Sequence, residues 1–174
     1  MMVASRGNFM RLRTLRRFSA LPLLVFMATQ VSAQGDANGC PVTTAPEASF
    51  VPPDPYPANA AEDAFWYGTS DLWTQLPDTG IWSGLPRRDD GYSNKLFLWE
   101  QGYDWRKEPK PEIVLILRRL DAHAPLAVSQ GGTNAILDGG ASMLTGVTFP
   151  TEGCWELTAY HAGHTLTFVV SVQP

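Results

Sequence analysis

The chain reads as an all-β protein, and three features of its 174 residues predict that class. Short runs of aromatic and β-branched residues recur from Ala64 onward, bounded by Gly, Pro, Asn or Asp. Such runs suit a pleated, half-buried surface, and the bounding residues are the ones turns need. The final run alternates: Leu166, Phe168, Val170 and Val172 fall on one face, and Thr165, Thr167 and Ser171 on the other, with Val169 the exception. That period of two marks an antiparallel strand with one face buried. No stretch after residue 33 carries the pattern of an amphipathic helix. Many short strands with turns between them predict a sandwich or a barrel.

Residues 1–33 read as an export leader. Arg11, Arg13, Arg16 and Arg17 are followed by the apolar run "FSALPLLVFMATQV", too short for a permanent membrane span. Val31 and Ala33 sit where a signal peptidase requires small residues, which places the cut before Gln34, and Met10 offers a second start. A twin-arginine leader fits less well, because Leu15 stands before the arginine pair. Five of the thirteen basic residues and none of the seventeen acids lie in this segment. Residues 34–174 therefore hold eight bases against seventeen acids, a net −9. A domain so charged repels phosphate backbones and anionic lipid, which argues against a nucleic-acid partner. No later stretch is long and apolar enough for a transmembrane helix.

Residues 34–63 form a Pro-rich arm, "CPVTTAPEASFVPPDPYPANA" at its centre, that cannot be helical and is expected to run extended. Cys40 opens it, and Cys154 stands at the mouth of a later strand in "PTEGCWEL". An exported chain with two cysteines favours their pairing, which would staple the arm to the body. The rival is a lipid anchor at Cys40. Gly39 suits it, but Ala37 occupies the position where a lipobox carries Leu. The disulfide is the expectation.

Residues 64–174 form the globular domain. "FWYGTS" and "LWTQL" predict two strands, "PDTG" a turn, and "IWSGL" the return strand. "PRRDDGYSN" is expected to be a loop, "KLFLWE" a strand, and "QGYDWRKEPKP" a second loop that its prolines keep from helicity. "EIVLILRRL" predicts a buried strand, and "GGTNAILDGGAS" an irregular segment. "MLTGVTF", "CWELTAYH" and "TLTFVVSV" complete the set, the last two joined by a tight turn at Gly163.

"FPTEGCWEL" and the hairpin after it resemble the corner and last two strands of immunoglobulin-like folds. The expected class is thus an immunoglobulin-like antiparallel β-sandwich. Over most of the mature chain, "CPVT…FVPPDPYP", "FWYGTSDLW", "QGYDWR", "RRLD" and "FPTEGCWELTA" also resemble a family of uncharacterised bacterial secreted proteins and predicted lipoproteins. That resemblance implies export. It implies no activity and no catalytic residue.

Motifs with chemical meaning are few. "DTG" at Asp78–Gly80 and "ILDGGAS" around Asp138 echo an aspartic-protease signature, but a hairpin turn and a Gly-rich loop account for them. His123, His161 and His164, with Glu156 or Asp121, could supply metal ligands. Solvent-exposed turn histidines are the expectation, with no metal and no cofactor. Glu100, Asp104 and Glu108 could pair as carboxylates for glycoside hydrolysis, yet they lie in a polar loop and are expected to be solvated. Most tryptophans should fill the core. Tyr103, Asp104, Trp105 and Arg106, on one loop, are the candidate ligand-binding set, two rings to stack on a sugar and two charges to bond its hydroxyls. The functional expectation is an exported, non-catalytic binding or structural module of the cell envelope, periplasmic or extracellular, with a protein or glycan partner. A carbohydrate-binding module is the second reading and an envelope hydrolase the third.

Overall fold

The computed structural model describes residues 39–137 and 140–174. The expected leader at 1–33, the first five residues of the expected arm and Asp138 lie outside the described residues. The described chain is all-β: β1 Ala64–Gly68, β2 Trp73–Pro77, β3 Ile81–Trp82, β4 Arg87–Arg88, β5 Gly91–Leu98, β6 Val114–Arg119, β7 Ala127–Gln130, β8 Thr133–Leu137, β9 Gly140–Phe149, β10 Gly153–His161 and β11 His164–Val172. One sheet runs in the order β3-β11-β10-β6-β7 and a second in the order β4-β5-β9-β8, while β1 and β2 pair only with each other. All pairings are antiparallel except β3 with β11.

The two large sheets share one apolar interior. Leu115 and Leu117 of β6, Trp155, Leu157 and Ala159 of β10, and Leu166, Phe168, Val170 and Val172 of β11 come from one sheet. Tyr92, Leu96 and Leu98 of β5 and Met143, Val147 and Phe149 of β9 come from the other. Burial follows the period-two pleat, so each sheet hides one row of side chains. A second cluster holds Trp66, Trp73 and Trp99, with Phe50 and Tyr56 of the 39–63 segment packed on it. Trp66 meets Trp99 edge-on at 5.0 Å and Tyr56 meets Trp73 at 5.1 Å. Reciprocal backbone bonds of 2.9 Å between Trp73 and Trp99 fasten the β1–β2 hairpin to the end of β5.

Cys40 and Cys154 form a disulfide across a sequence separation of 114, their Cα atoms 5.5 Å apart. Next to it, the Thr43 and Val169 backbones pair at 2.9 Å, and the Val169 N–H donates to Thr43 Oγ1 at 2.9 Å. The segment thus rides along β11 and seats Val42 in a small cluster with the disulfide.

Three local expectations are corrected, and one strand adds to those expected. "IWSGL" does not return along β2: β3 crosses to run parallel to β11, held by bonds from Ser171 N to the Gly80 carbonyl and from Gln173 N to the Trp82 carbonyl, both 2.9 Å. Trp82 meets Phe149 and Phe168 there, and this apolar contact outweighs a local hairpin. The polar stretch "PRRDDGYSN" holds β4 and the start of β5, closed by Asp89 and Asp90. Within "GGTNAILDGGAS", Thr133–Leu137 is not irregular, because as β8 it pairs along the first half of β9. A further strand, β7, lies between β6 and the Gly131–Gly132 connection.

Candidate functional site

The densest meeting of polar side chains forms where the 99–113 loop crosses the end of β10. Strand alternation carries the inward row Trp155, Leu157, Ala159 on to His161, whose side chain is only 2% exposed. Its Nδ1 lies 2.6 Å from Glu100 Oε2 and its Nε2 3.2 Å from Glu108 Oε1. Each ring nitrogen thus faces its own carboxylate, so a hydrogen on either nitrogen has an acceptor in place. Tyr103 stands edge-on to the imidazole at 6.3 Å. Its hydroxyl lies against the Glu108 carbonyl at 3.0 Å and against Asn134 Oδ1. Burial, then the charges of Glu108 and Glu100, push the Tyr103 phenol up to about 12. The ring therefore keeps its proton and serves as a donor.

Two expectations change here. His161 is not a solvent-exposed turn histidine, because the turn proper is Ala162 and Gly163, at φ +47° and +86°. The ring belongs to the strand and points inward with it. Glu100 and Glu108 are not simply solvated: they converge on one buried ring, since the loop folds back between Trp99 and Ile113, both buried. The signal was present in the sequence, where His161 shares parity with the apolar residues of its own strand. The two histidine nitrogens face different carboxylates, and no cluster of three metal-ligating side chains occurs among the described residues. His164 lies 4.0 Å from Asp71, while Glu156 and Asp121 are held by Arg118 and Arg119.

The loop residues singled out for ligand binding remain together. Asp104 organises the turn: its Oδ1 accepts the Arg106 N–H at 3.0 Å, and its carbonyl accepts from Lys107 and Glu108 at 2.9 and 3.0 Å. Trp105 is half-buried, with the Arg106 guanidinium 4.5 Å from its ring centre. Asn134 donates from Nδ2 to the carbonyls of Trp105 and Pro109 at 3.3 and 3.2 Å, tying the loop to β8. Tyr103 faces His161, while the exposed Arg106 lies beside the half-buried Trp105.

At the mouth of β10, Asp121 accepts Arg119 Nε at 2.7 Å and the Cys154 N–H at 3.1 Å. The hydrogen bond from Arg119 holds the Asp121 carboxyl below its ordinary range, with the Cys154 N–H adding to the effect and burial opposing it. Arg119 also donates to Thr151 at 2.5 Å and lies over Gly153, where φ is +132° and a Cβ would fall 2.7 Å from the guanidinium. "EGC" at 152–154 is thus a strand opening shaped around one arginine. A depressed carboxylate pKa contributes stability above the unfolded-state value and loses it as pH falls through the folded-state value. Asp121→Asn should cost about 0.5–1 kcal/mol at neutral pH, the scale of a solvent-screened pair. The gap to the parent should close on acidification. Urea midpoints at pH 7 and pH 3 test this, and a gap independent of pH would refute it.

No known family model matches this chain, and neither a curated protein nor a solved structure resembles it significantly.

Proposed function

We propose that this chain is an exported, non-catalytic binding or structural module of the cell envelope, built on an immunoglobulin-like two-sheet framework. The observation that carries this reading is the Cys40–Cys154 disulfide, a crosslink suited to an oxidising space. The basic and apolar leader at 1–33 and the resemblance to bacterial secreted proteins point the same way. The pairing occupies the thiol that a lipid anchor at Cys40 would need. The hairpin of β10 and β11, entered through "FPTEGCWEL", supports the immunoglobulin-like assignment. The buried polar groups serve a binding or structural role: His161, Tyr103 and Asn134 spend their hydrogen bonds on the protein's own loop. The partner is an envelope protein or a glycan. The glycan reading is supported by the half-buried Trp105 with the exposed Arg106 on the 99–113 loop, a ring and a donor fork of the kind that holds a sugar.

Intact mass of the exported protein should give a chain starting at Gln34 that accepts two alkyl groups only after reduction. A lipidated chain starting at Cys40 would overturn the stapled-module reading. Crosslinking in intact cells should trap a discrete adduct, and a monomer alone would count against a protein partner. For the glycan reading, tryptophan fluorescence should shift with soluble glycans and lose the shift in Trp105→Ala.

A further inference from the structure

The eight basic residues that follow position 33 are not used alike. Arg118, Arg119 and Lys107 pair with Glu156, Asp121 and Asp104, while Arg87 and Arg106 lie over the rings of Tyr92 and Trp105. That leaves Arg88, Lys95 and Lys110 with neither an acid nor a ring among the described residues. Two of these three line one cleft, of about 560 Å³, on the β4-β5-β9 side of the fold. In a chain with a net −9 after residue 33, two unneutralised cations in one cleft are a local reversal of charge. No acid lines the cleft, and Asp89 and Asp90 of the adjoining turn pair with neither cation.

The cleft has a built floor. Cross-strand register sets Lys95 opposite Gly146 and Ser93 opposite Thr148. Gly146 sits in mid-strand, where glycine weakens a sheet, and a Cβ built on it would meet nothing within 4 Å. The missing side chain leaves a notch beside the Lys95 stem. Ser129 of β7 forms one wall, donating its hydroxyl to the Gly146 carbonyl at 2.6 Å. Ser93, Thr148 and Ser129 bring hydroxyls to the cleft, and the exposed Pro86 ring brings apolar carbon. Such a cleft offers cations for an anion, neutral polar atoms for hydroxyls and apolar carbon for a ring face. Its volume falls in the range of small-molecule sites, about 300–1,000 Å³.

We infer that the Arg88–Lys95–Gly146 cleft binds an acidic saccharide, a sugar carrying carboxylate groups. The inference rests on the domain being a binding module, and it gives that module a ligand class and a site separate from the Trp105 loop. Isothermal titration of the full mature chain with trigalacturonate, maltotriose and inorganic phosphate tests it. Trigalacturonate should bind at least about tenfold more tightly than maltotriose or phosphate, as charge-assisted bonds added to neutral ones imply. Affinity should fall as salt rises. Lys95→Gln should weaken binding about tenfold, and Gly146→Val should do the same by filling the notch with the charges intact. Because Gly146 faces open space, the valine variant should keep the parent's thermal midpoint, so lost binding would not mean lost folding. Equal binding of maltotriose overturns the acidic assignment. Phosphate binding as tightly overturns the saccharide assignment. Binding untouched by both variants overturns the location. Absence of any binding removes this site, while intact mass and crosslinking decide the wider reading independently.

Discussion

A chain with both cysteines replaced by alanine is expected to unfold about 4 kcal/mol more easily than the parent. The bond closes a loop with a sequence separation of 114, and chain entropy puts the constraint on the unfolded state at about 4–5 kcal/mol for loops of this size. Losses measured on removing native disulfides run at about 2–5 kcal/mol, so the upper half of that range is expected. Beside the disulfide, a backbone pair with Val169, the Thr43 hydroxyl and the Val42 side chain fasten the segment to the body. The loss should therefore be uneven. Residues 39–49 should become open to proteolysis well below the global midpoint, while Phe50 and Tyr56 on the tryptophan cluster and the β10–β11 hairpin stay protected. Denaturant melts with and without reductant, combined with limited proteolysis, provide the measurement. Equal midpoints in the two conditions would remove the disulfide from the account of stability.

His161→Leu is expected to cost about 3 kcal/mol. Removing the ring leaves two partly buried carboxyl groups without their partner, and loss of one partner costs about 3–5 kcal/mol for fully buried pairs. The lower end applies here, because Glu100 and Glu108 keep 19% and 40% of their side-chain surface and can regain water. The effect should be local, with amide exchange rising across 99–110 and little change in β11. A second substitution separates this from mere loss of packing. Glu100→Leu added to His161→Leu removes the stranded carboxylate and should restore part of the loss, giving a coupling of about 1–2 kcal/mol in the cycle. Strict additivity of the two changes would mean that the bridge contributes nothing and that His161 is only filler.

How much of this was legible along the chain depends on the range of the interaction. β11 was readable because an alternating row of side chains announces its own buried face, β6 from a continuous apolar run, and β1, β2, β5, β9 and β10 from aromatic and β-branched runs between turn residues. The tight turn into β11 was readable from Gly163, since local backbone chemistry decides it. β4, β7 and β8 were missed because they are short or edge elements. Their sequences are polar or Gly-flanked, and only a neighbour already in place makes them strands. β3 was assigned to the wrong neighbour, since "PDTG" specifies a turn but not which sheet the next two residues join.

The same division holds for the polar residues. Parity in "CWELTAYH" put His161 on the buried face, yet treating it as a turn residue hid that. Its partners could not have been read. Glu100 and Glu108 lie 61 and 53 positions away in a loop whose local character is solvated, and only the fold-back between Trp99 and Ile113 brings them to the ring. Composition and local pattern were sufficient for the β class, the pairing of the only two cysteines and the excess of negative charge, because each depends on counts or on neighbours in sequence. The carboxylate–histidine bridge and the cation-lined notch over Gly146 depend on which strands lie side by side. That choice is made by burial of apolar surface across the whole domain, an energy no short stretch of the chain contains.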